Sequence, residues 1–208
     1  MRPNPVPDIV IGRLPLYLRA LGQMKAEGNT VTSSHELAGR LGISSAQIRK
    51  DLSQFGEFGK QGTGYNIAFL REQIQRILGV DRTWDVALIG LGDLGRALAH
   101  YGGFLRRGFQ ICALYDTDPE KIGQSIRDMP IQSMETMAAD IRRKNIKIAM
   151  LAVPLSAAQE VVDELVGAGV VAILNYAPTS ITVPEGVHVQ QIDPALHLQH
   201  MTYYIKPD

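Results

Sequence analysis

Cysteine is almost missing from this chain. Cys112 stands alone, so no disulfide forms within one chain and a disulfide-stapled fold is excluded. That scarcity points to a reducing compartment, the cytoplasm, and to Cys112 as a packing residue inside an apolar, strand-like run. No apolar run approaches the roughly 18 residues of a membrane span, so no membrane partner is expected. A signal peptide is not expected either, because Pro3, Pro5 and Pro7 interrupt the N-terminus. Metal ligands are scarce as well. His197 and His200 stand three apart, but no cysteine or acid cluster completes a site, so no metal is expected. Net charge is zero, yet the zero hides a split. Residues 1–80 carry ten Lys/Arg against six Asp/Glu, and the remainder carries eleven against fifteen. A basic first part beside an acidic second suggests that only the first meets a polyanion.

What is present is organised around Asp85-Val-Ala-Leu-Ile-Gly90-Leu91-Gly92-Asp93-Leu94-Gly95-Arg-Ala-Leu-Ala99. An apolar strand-like run turns on glycines and continues as an Ala/Leu-rich helix. Gly90, Gly92 and Gly95 have the G-x-G-x-x-G spacing of a dinucleotide-binding turn. In such a turn the first glycine bends the chain, the second admits a pyrophosphate, and the third lets helix and strand pack closely. The following helix presents unpaired N–H groups to phosphate. Residues 90–95 are therefore the candidate phosphate cradle. A second strand, Phe109 to Tyr115, ends on Asp116, 26 positions after Gly90 and a little beyond the roughly 20 of the usual spacing. Asp116 is placed to accept both adenosine ribose hydroxyls and to repel a 2′-phosphate, favouring NAD(H) over NADP(H). Thr117 and Lys121 border the adenine end.

Before that turn, Asp8 to about Ala26 has helical periodicity, with Ile9, Leu14, Leu16, Leu18, Leu21 and Met24 as candidate core and Pro15 as a bend or break. Residues 32–52 read as a capped helix, a tight turn at Gly42-Ile43 and a second capped helix, with Ser44 and Gln47 in a capping-box pattern. This is a helix-turn-helix layout, which puts the start of its second helix into the major groove. The candidate DNA contacts there are Ser44, Ser45, Gln47, Arg49, Lys50 and Ser53. Arginine pairs bidentately with guanine, glutamine with adenine, and serine and lysine hold phosphate. Phe55 to Ile67 reads as two short strands around a glycine-rich tip carrying Lys60 and Gly62, a wing thin enough for the minor groove. Ala68 to Leu78 gives another amphipathic helix, with Phe69, Leu70, Ile74, Ile77 and Leu78 as its apolar positions, and residues 79–83 a linker.

Beyond Asp116, helices at Met134–Lys144 and Ser156–Val166 alternate with strands at 147–153 and 170–175, and 187–192 adds a last strand. Strands alternating with helices predict a parallel sheet covered on both faces, with ligands outside the strands' carboxyl ends. Val153, Pro154, Asn175, Tyr176, Ala177 and Pro178 fall at such ends and join the candidate site. Asp193 caps a terminal apolar helix that needs a partner surface, its own domain or a second subunit. The expected α/β architecture is thus a winged helix-turn-helix domain over residues 1–80, a Rossmann-type parallel-sheet domain over 81–192, and a C-terminal helix over 193–208.

Taken together, Ala46-Gln47-Ile48-Arg49-Lys50-Asp51-Leu52-Ser53, the wing ending Gly62-Thr63-Gly64-Tyr65, the Gly90–Gly95 turn and Leu174-Asn175-Tyr176-Ala177-Pro178 resemble the Rex family of redox-sensing transcriptional repressors. The resemblance covers nearly the whole chain. It implies a homodimer that binds a near-palindromic operator in double-stranded DNA when NAD+ prevails and leaves it as NADH rises. It also implies exchange of the C-terminal helix between subunits, a place for Tyr101 near the nicotinamide, and a switching contact between Arg19 and Asp193. The short tail after Ile205 departs from the family's pattern. Other readings stand beside this one. The Asn175–Pro178 run also resembles coenzyme A-binding domains of the succinyl-CoA synthetase type, which makes another nucleotide the alternative ligand. An NAD-dependent oxidoreductase would need a substrate domain and a His–acid or Tyr–Lys pair, and neither stands out. A winged helix that recruits protein would leave Arg49 and Lys60 as solvated charges.

Overall fold

The computed structural model describes residues 6–60 and 63–205, with the Lys60 side chain and Gly62 outside that description. Its contacts divide the chain into two units, residues 1–82 and 83–208. In the first, helix α1 (Asp8–Ala26) buries Val10, Leu14, Tyr17, Ala20, Leu21 and Met24. These recur at helical spacing, so one stripe faces the core. Ile9, 70% exposed, and Leu16, 41% exposed, lie outside that stripe, contrary to the sequence expectation. The helix also runs through Pro15 without a break. Pro15 is on the exposed face, where water can satisfy the carbonyl that loses its N–H partner.

Strand β1 (Val31–Thr32) leads to α2 (Ser34–Leu41) and α3 (Ser45–Ser53). Ser33 and Ser44 accept the N–H of Glu36 and Gln47, capping one helix each. Gly42 turns the chain between them at φ +67°. Strands β2 (Gly59–Lys60) and β3 (Gly64–Asn66) form an antiparallel pair, and β1 adds to β3. That third strand was not expected from so short an apolar stretch. Helix α4 (Ile67–Leu78) closes the unit with Ile67, Leu70 and Ile74 inward, while Phe69 and Ile77 are exposed.

In the second unit, seven strands form one sheet among the described residues. They are β4 (Trp84–Ile89), β5 (Phe109–Asp116), β6 (Ser125–Ile126), β7 (Met129–Ser133), β8 (Ile148–Leu151), β9 (Ala172–Asn175) and β10 (His188–Gln191), in the order β10-β9-β8-β4-β5-β7-β6. All pairs but β6–β7 are parallel. From β4 the chain steps outward through β5 and β7, then returns to β8 on the other side. The switch point of this Rossmann-like sheet therefore lies between β4 and β8. Ala87 and Ile89 pack with helices α6 (Met134–Lys144) and α7 (Ala158–Gly167) on one face. Val86 and Leu88 pack with Ala99 of α5 (Asp93–His100) on the other. Both faces are buried, so β4 reads as a continuous apolar run. The β6–β7 hairpin was not expected. Pro130 interrupts its pattern, and its turn uses Arg127 and Asp128 at positive φ where glycine would have announced it. Helix α8 (Pro194–Thr202), capped by Asp193 through the Ala195 N–H, buries none of its residues in the described chain.

Candidate nucleotide and nucleic-acid sites

Register brings the carboxyl ends of four strands to one level: Ile89 pairs with Tyr115 and Leu151, and Leu151 with Asn175. Gly90, Asp116, Ala152 and Tyr176 follow directly. Gly90 turns at φ +89°, and a Cβ there would stand 2.4 Å from the Ala152 carbonyl oxygen. A Cβ on Gly95 would stand 1.9 Å from the Gly90 carbonyl oxygen. Those two glycines are required by the protein's own packing. Gly92 is different: a Cβ there meets nothing within 4 Å. It is also the N-cap of α5, and no side chain caps that helix. The helix start therefore presents N–H groups and its positive dipole end beside open space, which suits a pyrophosphate.

Asp116 is 7% exposed. Its carboxylate accepts the Leu91 N–H at 2.6 Å and the Asp118 N–H at 2.9 Å, and the Lys121 ammonium lies 3.4 Å away. Burial alone would raise its pKa, but these donors hold it below the ordinary carboxylate value. Asp116 thus pins the glycine turn through the Leu91 N–H. Lys121 also reaches Asp118 at 3.3 Å, and the two carboxylates hold its pKa above the ordinary value against the effect of burial. Thr117 is exposed beside them.

Asn175 is fully buried and spends its amide inside the protein. It donates to the Thr179 carbonyl (3.0 Å) and to Gln191 (2.7 Å), and accepts from the Ala177 N–H (2.9 Å). It shapes the loop of Tyr176, Ala177 and Pro178 from beneath. Ala177 is itself buried, Tyr176 is half-buried and Pro178 exposed. Val153 is half-buried, close to Gly90, and Pro154 exposed.

Tyr101 is not brought to this crevice within one chain. It ends α5 at the far side, one helix length or about 12 Å from the glycine turn. There it lies edge-on to Phe104, with ring centroids 5.0 Å apart, beside a cavity of about 320 Å³ whose lining includes Phe109 and Arg127.

In the first unit α3 carries Ser45, Gln47, Arg49, Lys50 and Ser53, with Ser44 as its cap. Arg49 and Lys50 are exposed. An Arg49 guanidinium nitrogen donates to Ser34 Oγ at 3.0 Å, and Ser53 Oγ donates to the Lys50 carbonyl. Gln47 does not complete the capping box. Its amide donates instead to Asp51 at 2.6 Å. Asp51, which sequence reasoning passed over, is the centre of the unit. It is wholly buried and also accepts two bonds from Arg13 (2.5 and 2.7 Å) and one from Tyr17 (2.5 Å). Burial would raise its pKa, but the Arg13, Tyr17 and Gln47 donors bring it below the ordinary value. Its only sequence signal is an acid at helical spacing from Gln47 on an otherwise basic helix. Arg19 is exposed on α1 in the first unit, and Asp193 caps α8 in the second.

A helical DNA-binding domain joined to a Rossmann-like parallel sheet with a phosphate cradle defines a DNA-binding regulator with a nucleotide site. Residues 5–53 match a family described as "Putative DNA-binding protein N-terminus", and residues 81–179 match one described as "CoA binding domain". The chain is 53% identical to the redox-sensing transcriptional repressor Rex of Roseiflexus sp. (strain RS-1) over 202 residues, 97% of this chain and 92% of that protein. Among solved structures it is similar to RSP in complex with beta-NAD+ and operator DNA, at TM-score 0.93 and 37% identity, covering 97% of this chain and 93% of that one. It is also similar to RSP in complex with beta-NADH, at TM-score 0.89 and 35% identity, covering 97% and 95%. The chain belongs to the Rex family of redox-sensing transcriptional repressors. It is a transcriptional repressor and not an enzyme, which removes the oxidoreductase reading.

Proposed function

We propose that this repressor binds double-stranded operator DNA as a homodimer and is released from it by NADH, NAD+ being the form that tolerates DNA. The observation that carries the ligand is Gly92, open to solvent at the uncapped start of α5 with the Asp116 carboxylate at the next strand end. In this reading residues 90–95 cradle the pyrophosphate and Asp116 takes the ribose hydroxyls. Thr117 and Lys121 edge the adenosine, while Val153, Pro154, Tyr176, Ala177 and Pro178 wall the crevice with Asn175 as their support. The RSP structures with beta-NAD+ plus operator DNA and with beta-NADH support NAD(H) and DNA as the ligands.

Residues 1–80 act as a winged helix, with Ser44, Ser45, Gln47, Arg49, Lys50 and Ser53 facing the duplex and Lys60 and Gly62 as the further DNA contacts. Residues 81–192 hold the cofactor in a cytoplasmic protein. In residues 193–208, the dimerisation segment, helix α8 (Pro194–Thr202) is exchanged with the partner. Leu196, Leu198, Met201 and Tyr203 are exposed around this helix, and exchange would cover them. Since Tyr101 lies at the far end of α5, its contact with a nicotinamide is assigned in this reading to a second copy. Arg19 and Asp193 are the candidates for the switching contact that the family resemblance implies.

Titrating NADH and NAD+ separately into the protein bound to an operator-like duplex tests the reading. Release by NADH alone is expected. Release by coenzyme A alone would favour the second nucleotide reading, which the family match over residues 81–179 keeps in play. Asp116→Ala is expected to abolish release by NADH, through loss of both the ribose contact and the Leu91 anchor, while operator affinity stays within about threefold. An equal loss of both would show that the two functions are not separable. Arg49→Ala is expected to reduce discrimination between operator and random duplex by about 1–3 kcal/mol. Undiminished discrimination in a competition assay would mean that Arg49 reads no base.

A further inference from the structure

We propose that Asp118 determines the choice between NADH and NADPH by neutralising the Lys121 ammonium that stands beside the ribose 2′ position. The inference rests on the NAD(H) reading above. Lys121 Nζ lies 3.4 Å from Asp116 Oδ2, the carboxylate assigned to the ribose hydroxyls, so it stands beside whatever the 2′ oxygen carries. An unengaged ammonium there would attract a 2′-phosphate and undo the repulsion that Asp116 supplies. In this chain Asp118 takes the other side of the same ammonium, with Oδ2 at 3.3 Å. Its Oδ1 meanwhile accepts the Glu120 N–H at 2.9 Å, and its own N–H bonds Asp116 Oδ1 at 2.9 Å. The two acids and one lysine form a cluster of net charge −1, tied together through backbone as well as side chains. Neutralising Asp118 leaves Asp116 and Lys121 balanced, and frees the ammonium from one of its two partners without removing a backbone anchor.

A unit charge about 6 Å away at an intermediate effective dielectric of about 40 is worth close to one pKa unit, or about tenfold in affinity. The test measures NADH and NADPH dissociation constants by titration of the full chain. It uses the wild type, Asp118→Asn, and Asp118→Asn combined with Lys121→Met. Asparagine keeps an acceptor for the Glu120 N–H. In Asp118→Asn the preference for NADH over NADPH is expected to shrink about tenfold through tighter NADPH binding, with NADH within about threefold of wild type. Adding Lys121→Met is expected to abolish that gain. An unchanged preference in Asp118→Asn overturns the proposal. So does a gain that survives Lys121→Met, or a loss of binding for both nucleotides. A wild type that binds neither nucleotide would instead sink the NAD(H) reading on which the inference stands.

Discussion

Asp51→Ala is expected to unfold the N-terminal unit at temperatures the wild type withstands, and operator binding is lost with it. Four hydrogen bonds from three side chains end on this one buried carboxylate. Removing it leaves the buried Tyr17 phenol and the part-buried Arg13 guanidinium and Gln47 amide without their acceptor. Breaking a buried pair in this way costs about 3–5 kcal/mol. A unit of 82 residues has a total stability on the order of 4–12 kcal/mol, so the loss is a large share of it. Asp51→Asn keeps the shape but not the charge and is expected to fall between. The same carboxylate sets an acid limit. Its folded pKa lies below the unfolded value of about 3.8, so its contribution is complete above that value and disappears as pH falls through the folded pKa. Chemical denaturation at pH 7 and at pH 3 measures both effects. A variant as stable as wild type at pH 7 would show that the network is ornamental.

Gly95→Ala and Gly92→Ala are expected to part company. The added methyl at position 95 would stand 1.9 Å from a backbone oxygen, so α5 must move off β4. Overpacking of this kind costs about 1–3 kcal/mol, more where backbone has to shift, and the phosphate cradle goes with it. At position 92 the methyl enters open space with φ at −71°, which alanine adopts freely. Stability is then expected within about 0.5 kcal/mol of wild type, while NADH affinity falls about tenfold or more if the methyl occupies the approach proposed for the pyrophosphate. Calorimetric melting beside NADH titration separates the two. If Gly92→Ala bound NADH as wild type does, the cradle would have to lie elsewhere.

The elements that carry periodic or glycine signals were legible in the sequence. Helix α6 has the bounds expected, Met134–Lys144, and Phe109 to Tyr115 is a strand that ends on Asp116. What escaped notice depends on partners distant along the chain. Arg13 and Asp51 are 38 residues apart, and nothing local marks Asp51 as buried. Asn175 joins the candidate site by its place at a strand end, but its hydrogen bonds to Gln191 and Thr179 turn its amide inward. In α1 apolar residues lie on several faces, so periodicity alone did not separate the Leu14–Tyr17–Leu21 stripe from Ile9 and Leu16. The β6–β7 hairpin hid behind Pro130 and a turn without glycine.

The bond from Gln47 to Asp51 makes the proposed reading head a stamp and not a set of fingers. Because α3 is bolted to α1 through one carboxylate, the helix cannot tilt or slide by itself to fit an imperfect half-site. The freedom left to the proposed dimer is the distance and phase between two such stamps. Redox control would then act as a ruler, and one base pair inserted at the operator's centre, about 34–36° of helical phase, would imitate the reduced cofactor.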